Sequence, residues 1–355
     1  MAAGGGARRG AGGPNWGAGA GSASATPAGG VTVKVRLKNV SVAAILLALA
    51  VGGALISLLL VNPQLGFGDL WLAVTDPDST AALIVWEFRA ARIVLGVLVG
   101  VCFGLGGSLL QRLMRNPLAS PDVLGVSAGA SLCAMVAMVI FGLRGLPVSG
   151  AAFVGAIAIV AIVGFLAGGR GGISGRFVLI GVGVGAAVNS LIIMVTTFAN
   201  TYQVREAMVW LSGSLASATW QRVSLLAALM AVLVPLVALR RRNLEVLEVG
   251  DDLAAGLGAR PVRDTMIIVA LVVALIASAT AAAGPIAFVS FVAGPLALRL
   301  TGRWSLSLSA LTGVVIVLLA DAVGQILPSG PYPVGLITGA LGAPVLLSVL
   351  LRKGN

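Results

Sequence analysis

The chain contains no histidine. That removes the side chain most often used to move protons near neutrality and to hold metals. Charge is scarce as well: Asp, Glu, Lys and Arg make up 10% of the 355 residues, against about 25% in a soluble globular domain. No apolar segment holds the pair of carboxylates that acid–base catalysis would need. The two cysteines, Cys102 and Cys133, lie inside apolar runs. They read as small buried hydrophobes, with nothing to suggest a disulfide or a metal site. The sequence has no G-x-S-x-G and no H-E-x-x-H. Its glycine-rich stretch "GGRGGISGR" (168–176) lacks the Lys-Ser/Thr ending of a phosphate-binding loop, so it reads as a cytoplasmic turn. We therefore expect no catalytic residue, no metal site and no cofactor bound by this chain.

What is present is apolar. Hydrophobic residues make up 58% of the chain and mean hydropathy is +1.06, more than a water-soluble fold of this length can bury. The 49 glycines suit closely packed membrane helices. A net charge of +11 would fit nucleic acid, but the basic residues are scattered between apolar segments and make no continuous surface. Nucleic acid is excluded as a partner and membrane lipid is implied. Residues 1–39 differ: a Gly/Ala/Ser-rich tract expected to be a disordered cytoplasmic tail. Arg8 and Arg9 are followed by no apolar stretch before about Val40, so this tract does not read as a signal peptide.

Residues 40–355 read as an all-α integral membrane domain. A spanning helix needs about 20 mostly apolar residues. Ten segments approach this: 40–61, 91–113, 123–141, 148–168, 177–199, 223–239, 266–282, 285–299, 306–327 and 333–351. Placing both termini in the cytoplasm puts 18 of the 23 basic residues on that side, as the positive-inside rule favours. Outside remain Arg89, Arg92, Arg144, Arg205 and Arg222, near Trp71, Trp86, Trp210 and Trp220. Only Asp321, in "LLADAVGQ", is a carboxylate well inside a span. It suits ion coupling, helix capping or pairing with a neighbour, and one such group is thin support for an ion-driven carrier.

Two cytoplasmic stretches stand out. "QRLMRNPLASPDVLGVSAGAS" (111–131) interrupts the apolar pattern with Arg112, Arg115 and Asn116. Pro117 and Pro121 forbid a continuous helix there, and Asn116 can bond the exposed backbone. Gly125 and Gly129, four apart, read as a close-packing face. The loop 240–265 contains "RRRNLEVLEVGDDLAAGLGARPVRD". Asp251 and Asp252 suit a helix N-terminus, Leu253 and Leu257 share one face of a short helix, and Gly258 can end it. That helix suits docking into a groove on another protein.

These motifs, with Arg89-x-x-Arg92, Gly100, "AAAGPIAFVSFVAG", "LLAD" and "PVGLITGALGAP", resemble the permease subunits of iron–siderophore, haem and vitamin B12 ABC importers over about residues 60–352. The resemblance implies ten spans and a second permease, identical or related. It also implies two cytoplasmic ATPase subunits carrying ATP and Mg, and an extracytoplasmic binding protein. It places Asn116, Leu118, Ser174 and Gly175 at a cytoplasmic gate. Asp251, Asp252, Leu253, Leu257 and Gly258 fall at the ATPase coupling helix, and Arg89 and Arg92 at the binding-protein contact, where membrane-interface anchoring is the simpler alternative. Gln111, Asn189, Ser190, Thr196 and Thr197 are candidate pathway residues, although each could equally serve interhelical hydrogen bonding. Departures are Gly294 and Pro295 in place of Pro-His, Gln325 in place of a third arginine, and Pro331 in place of a glutamate. They look similar to the ferric-enterobactin-type branch. The expected cargo is a ferric siderophore; haem, vitamin B12 and a secondary carrier are the alternatives.

Overall fold

A computed structural model describes residues 28–59, 67–168, 175–328 and 330–351. Among the described residues every regular element is helical. The order is α1 (Ala28–Leu59), α2 (Phe67–Thr75) and α3 (Thr80–Ala82), then a π-helical stretch (Leu83–Ala90) leading into α4 (Ala91–Leu113). A single 3-10 turn (Pro121–Leu124) precedes α5 (Val126–Val139), α6 (Leu146–Leu166), α7 (Gly175–Thr197), α8 (Thr201–Leu211) and α9 (Trp220–Leu247). Then come α10 (Asp251–Gly256), α11 (Pro261–Ala283), α12 (Val289–Thr301), α13 (Leu306–Ile326) and α14 (Val334–Leu351).

Seven helical stretches among the described residues are long and apolar enough to cross a membrane, and Val126–Val139, Val289–Thr301 and Val334–Pro344 are shorter apolar helices. Each coincides with one of the segments marked by hydropathy, because in lipid the backbone satisfies its own polar groups by forming helix. The differences lie at the ends. Residues 1–27 of the expected tail lie outside the described residues. Helix α1 begins at Ala28, well before the expected boundary at residue 40, while its apolar span runs Asn39–Leu59. Helix α9 continues to Leu247, past its apolar part, so Arg240–Leu247 is a helical extension where a loop was expected.

The core forms around α4 and α11, whose spans are each 72% buried, whereas α7 is only 17% buried. Small residues on α4 set the packing. A Cβ at Gly100 would come within 2.6 Å of Val314 on α13, and one at Gly107 would strike the Ser290 carbonyl on α12. These backbones touch because nothing larger than hydrogen separates them. Gly129 and Gly155 do the same for α5 and α6. Gly125, expected to share that packing role, instead takes a left-handed φ of 82° and turns the chain into α5.

Candidate functional site

At the cytoplasmic end of α4 the chain turns sharply. The Asn116 backbone N–H donates to the Gln111 carbonyl at 2.9 Å, and the Asn116 Oδ1 accepts from the Leu118 N–H at 2.9 Å. This asparagine thereby replaces helix bonds that Pro117 forbids. Ser120 then caps the Pro121–Leu124 turn, accepting from the Asp122 N–H at 3.3 Å. Asn116 and Leu118 are both exposed at the tip of this turn.

The two arginines of the same stretch reach across to the loop after α9. Arg112 Nε donates to Glu248 Oε1 at 2.5 Å, and that pair is only 7% and 32% exposed. Arg115, held at a φ of 50°, donates through Nη2 to the Leu247 carbonyl at 2.6 Å and to Asp251 Oδ1 at 2.9 Å. Three bonds or ion pairs of this kind are cooperative when they share rigid supports. Here they clasp the turn at 116–118 to the start of α10.

Helix α10 is a single short element with its apolar residues turned outward. Leu253 is 65% exposed and Leu257 71%, while Ala254 is fully buried and fastens the helix to the body. Gly250, not an aspartate, occupies the N-cap. Asp251 and Asp252 stand in the first turn, where they favour the helix dipole, and Asp251 also meets Arg115. Leu257 is the C-cap and Gly258 leaves the helix at a φ of 85°, a conformation that glycine adopts without strain.

The gate residues expected from α7 are divided. Ser174 lies outside the described residues. Gly175 opens α7, and that helix packs on the turn through Gly181, whose Cα approaches the Val123 carbonyl.

The candidate pathway residues separate by environment. Gln111 is wholly buried and donates from Nε2 to the Phe291 carbonyl at 2.8 Å, bridging α4 to α12. Any Cβ at position 294 would run into its amide oxygen, so Gly294 is the residue that gives Gln111 its space. Asn189, Ser190 and Thr197 are exposed and Thr196 is half-buried, all on the sparsely covered α7. The hydroxyls of Ser190, Thr196 and Thr197 donate to carbonyls of their own helix.

At the other end, Arg92 forms a bidentate pair with Asp321, with Nη2–Oδ1 at 2.8 Å and Nε–Oδ2 at 3.0 Å. Asp321 is 2% exposed and Arg92 17%. Gln325 Nε2 donates to Asp321 Oδ2 at 2.6 Å and to Ser57 Oγ at 3.0 Å. Asp321 is thus a paired carboxylate that joins α1, α4 and α13, the pairing option of the three. Arg89, half-buried, donates to the Leu58 carbonyl. Trp86 and Trp220 bond the Ala73 and Trp86 carbonyls nearby. The partners Glu248, Leu247 and Ser57 had no local signal in the sequence, since they lie far along the chain from the residues they hold.

The chain is thus a helical membrane body in which a proline-broken turn lies beside a short helix that presents two leucines outward. The chain belongs to the FecCD transport family, whose profile matches residues 31–352. It is 36% identical over 284 residues to the ferric enterobactin transport system permease protein FepG of Escherichia coli, covering 79% of this chain and 86% of that one. It is 35% identical over 312 residues to the Fe(3+)-citrate import system permease protein YfmE of Bacillus subtilis, covering 84% and 92%. Its fold matches a solved metal-chelate type ABC transporter in an inward-facing conformation with a TM-score of 0.77 at 23% identity, over 88% of this chain and 99% of that one. It is a multi-pass protein of the cytoplasmic membrane and a transport subunit.

Proposed function

We propose that the chain passes a ferric siderophore across the cytoplasmic membrane, driven by a separate ATPase. In this reading ten helices cross, both termini are cytoplasmic, and a second permease completes the pathway. Two ATPase subunits carrying ATP and Mg dock at α10, and an extracytoplasmic binding protein delivers the cargo. The observation that carries the reading is the clasp. The surface offered for docking, Leu253 and Leu257, belongs to the element that Arg115 ties through Asp251 to the turn at Asn116 and Leu118, while Arg112 holds Glu248 at the end of α9. A displacement imposed on α10 by an ATPase would therefore pull directly on the gate. Asp251 and Asp252 keep α10 formed, and Gly258 lets it end. Gly175, at the start of α7, stands at the opposing lip, and Asn189, Ser190, Thr196 and Thr197 offer polar groups along α7.

Outside, Arg89 offers its remaining donors to acidic groups of the binding protein. Arg92 acts beside it, with most of its guanidinium engaged by Asp321. Asp321 is held by Arg92 and Gln325, a structural pairing of α1, α4 and α13, and the ATP-driven reading needs no ion-coupling group. The test is reconstitution in liposomes with candidate ATPase and binding protein. Uptake of a ferric siderophore should require ATP and both partners. Uptake driven by a proton gradient without the ATPase would refute the reading, and uptake of haem or a corrinoid in place of the siderophore would change the cargo.

A further inference from the structure

Helices α1 and α9 stand apart, and between them lies a cavity of about 810 Å³. Its floor is α4 and α13, and its flanks include Leu47 and Val51 from α1 and Val234 from α9. All three flank residues are exposed in the chain. A dry gap of this size between spanning helices would forfeit dispersion contacts along its whole lining, contacts that an acyl chain would restore. One end differs. There the lining carries Arg112, Arg241 and Arg303 against a single carboxylate, Glu245, which Arg241 already holds at 2.9 Å. Arg112 is engaged by Glu248. Arg303 is exposed, and its Nε and Nη2 lie 2.8 and 2.7 Å from the Asn39 side-chain amide; its other donors have no partner among the described residues. Ser305, the N-cap of the 21-residue helix α13, opens at the same place, with Ser307 beside it and Trp304 against the apolar part.

We propose that this cavity is a binding site for an anionic phospholipid of the cytoplasmic leaflet. Its acyl chain lies between α1 and α9, and its phosphodiester is held by Arg303 and Arg241 at the N-terminus of α13. Guanidinium groups match phosphate oxygens through paired donors. The helix N-terminus adds positive potential, and basic pockets between helices on the cytoplasmic side favour anionic headgroups. The leaflet follows from the proposed orientation of the 240–265 loop; the pairing of arginines with an acyl slot does not depend on it.

The test uses the full chain, purified in detergent and titrated with phosphatidylglycerol or phosphatidylcholine of identical acyl chains, with bound lipid counted by native mass spectrometry. The expected result is preferential retention of phosphatidylglycerol. The double variant Arg241→Gln/Arg303→Gln should lower it by about thirtyfold, the effect of two basic side chains at a membrane surface. Arg303→Lys should keep most of it, and Val51→Trp, which fills the slot, should lower both lipids. Equal retention of the two lipids by the unaltered chain would overturn the proposal, as would a double variant that binds like it. Cross-linking of Val51→Cys between two copies in the absence of lipid would overturn it by assigning the face to a second chain. An inverted orientation would appear separately, in labelling of the C-terminus, and would leave this binding pattern unchanged.

Discussion

Consider Glu248→Arg, which sets a second guanidinium against Arg112 where a 2.5 Å ion pair now stands. Exposed pairs contribute about 0.2–1 kcal/mol, whereas breaking a fully buried pair costs about 3–5 kcal/mol. With Arg112 at 7% and Glu248 at 32% exposure, this pair falls between those limits. Losing it costs about 2 kcal/mol, or roughly thirtyfold in the closed-to-open ratio of the clasp, and placing like charges together costs more. Leu253 and Leu257 are untouched, so the ATPase should still assemble and hydrolyse ATP. Uptake should fall by about tenfold, because the pull on α10 then reaches the turn at Asn116 through Arg115 alone. The assay is chelate imported per ATP consumed in proteoliposomes. The swap Arg112→Glu/Glu248→Arg restores the attraction and should recover several-fold of the loss. Unchanged uptake per ATP in Glu248→Arg would show that this ion pair transmits nothing. So would a swap no better than either single change, since a double-mutant cycle would then show no coupling.

Three further outcomes follow from the packing, the charges and the topology. Gly107→Ala drives a methyl into the Ser290 carbonyl, whereas Gly183→Ala meets nothing within 4 Å; the first should lower thermal stability by about 1–3 kcal/mol and the second should not, as read by unfolding in detergent. Arg92→Ala strands the buried Asp321 and should destabilise the chain by about 3–5 kcal/mol, while Arg92→Ala with Asp321→Ala should be milder, and Arg89→Ala should weaken binding-protein affinity with little loss of stability. In intact cells, Lys353→Cys should resist membrane-impermeant thiol reagents applied from outside; ready labelling would invert the proposed topology.

Most of the membrane body was legible because lipid imposes one rule on every segment: apolar residues in runs, folded as helix. The charge bias and the proline pair likewise act locally and are visible locally. What escaped depends on partners far along the chain. Arg112 meets a residue 136 positions away and Arg92 one 229 away, and no periodicity encodes such pairings. The sequence around Asp321 therefore suits three roles, and only the fold brings Arg92 and Gln325 to pair with it. Gly125 misled because its spacing to Gly129 matches helix packing, while its backbone serves a turn. Gly294 departs from the family's Pro-His, and its missing side chain makes room for the buried amide of Gln111. In α10, residue types predicted a short helix with both aspartates at its N-terminus and two leucines on one face, and the helix takes that form behind a Gly250 N-cap.

The central claim is that energy enters through α10, and Leu257→Asp tests it most directly. Losing an apolar anchor at an interface commonly costs about 1–3 kcal/mol, and burying an unpaired carboxylate in its place costs more. Leu257 is 71% exposed in the chain, so the substitution should leave folding and membrane insertion intact. The measurement is co-purification of the ATPase with the variant, alongside uptake in the same membranes. The account predicts that both are lost while the variant accumulates at normal levels. A Leu257→Asp permease that retains its ATPase and transports normally would contradict it.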